Sequence, residues 1–149
     1  MSKKSRKEGN RVACLIKANK TEFYIADVDL DDSSDDVVGA MNSIVKTLGK
    51  VRAAFMIISA GIKVITILSY VPDELGEKLD KDLWLKKSII GLPDGITDSG
   101  DNYVRTVVET TTPFKLKDMV RGNGFAYLTK LGLMGDEESS EELPDFDDL

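Results

Sequence analysis

Apolar and polar positions along the chain alternate between two periods. Tyr24, Ala26, Val28 and Leu30 fall on one side of the segment Glu22 to Leu30, opposite Phe23, Ile25, Asp27 and Asp29, which is the period of a strand ending in aspartates at its wet end. The period then changes. Val37, Val38, Met41, Ile44, Val45 and Leu48 lie on one helical face, with Ser33 or Ser34 placed to cap, Asp35 and Asp36 in the first turn and Gly49 just past the end. Arg52 to Ser59 and Ile62 to Val71 are apolar on both faces in part and are separated by Ala60-Gly61. They predict two central strands paired as an antiparallel hairpin. Pro72 stops the second strand because it has no N–H to donate, and Asp73 to Lys78 is expected as a short helical turn or loop.

Asp80 can cap a helix from Lys81 to about Ile90, with Leu79 and Trp84 at the spacing of a hydrophobic staple, so the only tryptophan is structural. Gly91, Pro93, Gly95 and Gly100 make the stretch to Asn102 a loop. Tyr103 to Thr112 reads as a strand closed by Pro113, and Tyr103 is either a core residue or a platform for an unpaired base. A last helix is expected from about Lys115 to Leu131, with Leu116, Met119, Val120, Tyr127 and Leu131 on one face and Lys117 with Arg121 on another. Gly122 and Gly124 are expected to kink or break it. At the other end, Arg6 to Asn19 is helix-compatible. The order implies an α+β fold: a small mixed or antiparallel sheet with a central hairpin and helices on one or both faces.

Charge divides the chain into three segments. Residues 1–20 carry Lys3, Lys4, Arg6, Lys7, Arg11, Lys17 and Lys20 against Glu8, a basic arm or helix that could reach phosphates or remain a solvated surface. Residues 21–134 are the folded domain. Residues 135–149 hold eight acids and no base and are expected to be disordered; they could fold back on basic surface and compete with an anionic ligand. The formal net charge of −6 comes from this last segment, since the rest has 20 bases against 18 acids.

The chemistry is narrowed by what the sequence contains. There is no histidine, and one cysteine, Cys14, inside the apolar run Val12 to Ile16, where it is expected as a small packed hydrophobe. Neither a zinc site nor histidine-based catalysis can be assembled from this composition, and Asp73 with Glu74 has no converging partner. No apolar run approaches the roughly 20 residues that span a bilayer. The charged N-terminus lacks the apolar core of a secretory signal, so a cytoplasmic, reducing location is expected.

From about Phe23 to Leu131 the sequence resembles the C-terminal domain of alanyl-tRNA synthetases. The resemblance rests on order and spacing: the helix from Val37 to Leu48, the hairpin from Ala53 to Val71, Val71-Pro72, and Leu79-Asp-Lys-Asp-Leu-Trp84-Leu85, which is similar to the family's V-P followed by L-x-A-x-x-W. The closing Gly124-Phe-Ala-Tyr-Leu-Thr-Lys-Leu131 resembles a family segment of the form F-A-x-L. Two departures stand out. Lys81 occupies the family's alanine position, and the family's glycine- and lysine-rich loop is replaced by Gly91 to Asn102, which has no lysine and three aspartates.

The resemblance implies an accessory domain that docks on the outer corner of tRNA(Ala) and helps join aminoacylation to editing. In some members it supports a homodimer, and some animal versions have turned to DNA or other partners. It also implies no catalysis by this piece alone, since class II catalytic motifs, an ATP loop and editing-domain ligands are missing; ATP and zinc would belong to other domains of the parent ligase. The candidate phosphate-contacting residues are Lys86, Lys87, Arg105, Lys115, Lys117, Arg121 and Lys130. The alternative is a protein-interaction or dimerisation module without nucleic-acid affinity, which the acidic loop and acidic C-terminal segment favour.

Overall fold

The computed structural model describes residues 2–134. The acidic segment 135–149, and with it the expectation of disorder and of a competing tail, lies outside them. The elements follow in the order α1 (Lys3–Asn19), β1 (Phe23–Val28), α2 (Ser34–Leu48), β2 (Ala54–Ala60), β3 (Val64–Tyr70), a 3-10 turn (Asp73–Leu75), α3 (Lys81–Ser88), β4 (Ile96–Gly100), β5 (Tyr103–Glu109) and α4 (Pro113–Lys130). They form an α+β fold around a five-stranded sheet of order β1-β2-β3-β5-β4, in which β1 runs parallel to β2 and every other neighbouring pair is antiparallel.

Alternation along the strands fills two cores. Phe23, Ile25, Met56, Ile58, Ile65 and Ile67 face the layer of α3 and α4, while Ala26, Val28, Phe55, Ile57 and Leu68 face α1 and α2. All seven residues of β2 are buried, as a central strand covered on both faces requires. The capping read from sequence is present at α2: Ser33 Oγ accepts the Asp36 N–H at 3.2 Å, and Gly49 follows the last turn with φ 59°. The β2–β3 connection is longer by one residue than expected, Gly61 to Lys63, and is held by Asp32. Its Oδ1 accepts the N–H groups of Ile62, Lys63 and Val64 at 2.8, 3.1 and 3.1 Å, a backbone nest filled by the protein's own carboxylate.

Four expectations are corrected. Part of the stretch from Gly91 to Asn102 is a strand, β4, which pairs with β5 through a two-residue turn at Asp101-Asn102. All five of its residues are exposed, so it has no buried face to write a period-2 pattern. Pro113 does not merely close a strand; it opens α4 at the first helical turn, where its missing N–H costs nothing. Despite Gly122 and Gly124, α4 is one helix of 18 residues, and Met119 and Leu131 are exposed while Gly124 and Leu128 are buried. Cys14 is exposed, because the helical period that buries Val12, Ala13 and Ile16 turns position 14 outward.

Within the basic segment, α1 is a helix from Lys3 to Asn19 built into the domain. Val12, Ala13 and Ile16 are fully buried against α2 and β1, and Ser5 Oγ donates to the Asp36 carbonyl at 2.7 Å. Among the described residues no helix is long and apolar enough to cross a membrane.

Candidate nucleic-acid interface

The layer of α3 and α4 presents most of the candidate cations, and its geometry begins at Trp84. Asp80 Oδ1 accepts the N–H groups of Asp82 and Leu83 at 2.8 and 3.2 Å, which starts α3 and places Trp84 inward with Leu79 beside it in the core. Trp84 Nε1 donates to the Gly124 carbonyl at 3.3 Å. Gly124 can lie this close because it has no Cβ; an added one would sit 2.9 Å from Ile25 Cδ1 and 3.2 Å from Ser88 Oγ. Asn123 Nδ2 then donates to the Ser88 and Ile90 carbonyls at 3.1 and 3.2 Å, so α4 caps the end of α3.

Lys86 and Lys87 occupy the last turn of α3, where the helix dipole favours positive charge. Both are exposed, as are Lys115 and Lys130 on α4, and none of the four has an acidic partner among the described residues. Lys115, Met119, Gly122, Ala126 and Lys130 lie along one exposed stripe of α4, so two cations bracket a flat run of roughly 22 Å at 1.5 Å per residue. The opposite end of α3 is acidic. A cleft of about 680 Å³ there is lined by Asp73, Asp80, Asp82 and Asp101, with Asn102 Nδ2 donating to Asp73 Oδ1 at 2.7 Å. Along α3 the charge therefore changes from mainly acidic at its start to basic in its last turn, which draws a polyanion toward Lys86 and Lys87.

The other three candidates are engaged within the fold. Lys117 Nζ is 3.7 Å from Asp27 Oδ2 and 5.0 Å from the centre of the Phe114 ring, and Arg121 pairs with the same carboxylate. The second oxygen, Asp27 Oδ1, is buried with no hydrogen-bond partner among the described residues. Arg105 belongs to the opposite side of the sheet. Its side chain is 14 % exposed and donates to Asp98 Oδ1 at 2.9 Å and to the Ser34 carbonyl at 3.0 Å, which ties β4 and β5 to the start of α2. The seven residues are thus four lysines with no acidic partner among the described residues, a pair that shares one carboxylate, and one structural clamp.

No family model matches the chain, and no curated protein matches it. Among the described residues there is no group of three or more cysteine, aspartate or glutamate side chains placed to hold a metal ion.

The basic face that sequence reasoning left out of the candidate set is on α1. Two of its charges are fixed to the C-terminal end of β1. Glu8 Oε1 accepts Arg11 Nη2 at 3.1 Å and the Asp29 N–H at 2.8 Å, while Arg11 Nη2 also donates to the Asp27 carbonyl at 2.7 Å. Burial pushes the Glu8 carboxyl up, but the Arg11 hydrogen bond, the Asp29 amide and the charges of Arg11 and Lys4 outweigh it, and its pKa lies below the ordinary 4.5. Asp98 is held below its ordinary 3.8, chiefly by the Arg105 hydrogen bond. Groups with depressed pKa values contribute stability that is present above the unfolded pKa and lost as pH falls through the folded one. Stability should therefore fall on acidification below about pH 4.5. A Glu8→Gln variant should be less stable than the parent at neutral pH, with the difference shrinking in that window. Urea melts at a series of pH values would measure it, and a difference constant with pH would refute the assignment.

Proposed function

We propose that the chain is an accessory domain of the alanyl-tRNA synthetase type that contacts tRNA(Ala) at its elbow through phosphates, with the chemistry of alanylation and editing carried by other domains of the parent ligase. The observation that carries the reading is the set of four exposed lysines, Lys86, Lys87, Lys115 and Lys130, on one helical layer with no acidic partner among the described residues. Lysines left without a carboxylate are free to displace counterions from a phosphate backbone. The likeness of the tryptophan helix and the closing helix to the family supplies the direction to tRNA. Lys117, Arg121 and Arg105 serve mainly to hold the fold in this reading.

The test is a salt titration of the full chain against tRNA(Ala), a non-cognate tRNA and duplex DNA. Affinity should prefer tRNA, fall steeply with salt, and lose about two from the slope of log K against log salt in a Lys86→Ala/Lys87→Ala variant, near one per phosphate contact. Lys117→Ala should change the slope less. Absence of binding at low salt overturns the reading.

A second reading, a homodimerisation or protein-interaction module, is favoured by the free edge of β4. Its five residues are exposed, Ile96 at 78 %, and edge strands are templates for pairing with another chain. A dimer by sedimentation together with no affinity for nucleic acid would select it.

A further inference from the structure

The outer face of α1 carries a second unpartnered set of cations, on the other side of the sheet from α3 and α4. Lys3, Arg6, Lys7 and Lys17 are exposed on the side of the helix away from Val12, Ala13 and Ile16, and Lys20 follows at the C-cap. Among the described residues none of them has an acidic partner. The only acid in the helix, Glu8, is turned to Arg11 and the Asp29 amide. From Lys3 to Lys17 the stripe runs roughly 21 Å.

A cleft of about 410 Å³ opens beside it, between α1 and α2, lined by Arg6, Asn10, Ser43, Lys46 and Thr47. Thr47 Oγ1 donates to Asn10 Oδ1 at 2.9 Å, which fixes the amide and leaves its N–H₂ group as a donor in a cleft that also holds a guanidinium and an ammonium. Two cations and a neutral donor around a recess match the oxygens of a phosphodiester.

We infer that this face is a second nucleic-acid backbone site, with a phosphate seated between Arg6, Asn10 and Lys46 and neighbouring phosphates along Lys3, Lys7 and Lys17. The inference rests on the nucleic-acid reading above and adds a face to it. Phosphates fit better than an acidic peptide or a lipid surface, because α1 exposes no large apolar side chain that a peptide could cover, and its apolar side is already buried in the domain. With lysines on both outer layers, the domain would bridge two stretches of backbone.

Cys14 gives a direct test, since it is the only cysteine and lies exposed in the middle of the stripe. Its alkylation by N-ethylmaleimide is measured in the full chain at low salt, with and without a duplex RNA two turns long. The duplex should slow alkylation several-fold, added salt should restore the rate, and an Arg6→Glu/Lys46→Glu variant should lose the protection. Should that variant misfold, Arg6→Ala/Lys46→Ala gives the same readout with a smaller change, and the protection in the parent chain stands by itself. Protection should persist in Lys86→Ala/Lys87→Ala. Binding that depends on Lys86 and Lys87 while Cys14 stays unprotected overturns this inference and leaves the first reading intact. Alkylation that salt accelerates in the RNA-free chain, without protection by duplex, also overturns it and assigns the stripe to an acidic segment.

Discussion

Truncating Trp84 to alanine is expected to remove about 3–5 kcal/mol of stability, a large share of what a domain of this size possesses. Trp84 is fully buried and sits where three things meet: the core-facing side of the sheet, the first turn of α3 and the middle of α4. Its indole fills the volume between Leu79, Leu85 and the sheet, and its Nε1 proton satisfies the Gly124 carbonyl. The alanine variant loses the transfer energy of the ring and leaves a cavity whose walls are set by strands paired on both sides, so collapse into it is limited. Trp84→Phe separates the terms: most of the volume stays, the hydrogen bond goes, and a loss of about 1–2 kcal/mol is expected. Urea denaturation followed by circular dichroism reads both, since no other tryptophan is present for fluorescence. A loss below about 1 kcal/mol for the alanine variant would show that the ring does not hold α3, α4 and the sheet together.

The contrast between what was legible in the sequence and what was not follows the range of the interactions involved. The helix α2 was readable because its cap, its acidic first turn, its apolar face and its closing glycine are all local. The hairpin β2–β3 was readable because a strand covered on both faces must be apolar throughout. β4 was not, because Ile-Thr-Asp-Ser-Gly is held at the sheet edge by β5 and by Arg105 reaching Asp98, and nothing in five exposed residues encodes that. Of the candidate cations, Lys117 and Arg121 looked as free as Lys86 and Lys87. Their carboxylate, Asp27, is some ninety positions away and becomes their neighbour only when α4 packs across β1.

The packing of α1 shows the same limit. The sequence offered a basic helix with a short apolar run, and the outward turn of Cys14 within that run follows only once the helix phase is fixed. What fixes the phase is smallness as much as hydrophobicity. Ser5 and Gly9 are buried together with Val12, Ala13 and Ile16, and they bring α1 close to the Ala40 and Ser43 side of α2. A hydropathy pattern gives small residues little weight, so the face that joins α1 to the domain is faint in sequence while the charged face is plain.

This close approach makes one substitution act with opposite signs at two helical glycines. Glycine to alanine inside a helix favours folding by roughly 1 kcal/mol on propensity alone. At Gly122, on the exposed stripe of α4, an added Cβ meets nothing within 4 Å, and Gly122→Ala should stabilise the protein by about 0.5–1 kcal/mol. At Gly9 the same atom would lie 2.5 Å from Ser43 Cβ and 2.6 Å from the Ala40 carbonyl oxygen. Neither neighbour is the flexible end of a side chain, so α1 must withdraw from α2, and the burial of Val12, Ala13 and Ile16 is reduced along the whole contact. Overpacking of this kind outweighs the propensity gain, and Gly9→Ala should lose about 2–3 kcal/mol. Urea melts of the two variants, with hydrogen exchange to show that the loss is concentrated in α1, measure the difference. Should Gly9→Ala match or exceed the stability of the parent chain, α1 would be a loosely held arm after all, and the cationic stripe it carries would have no fixed position from which to engage a backbone.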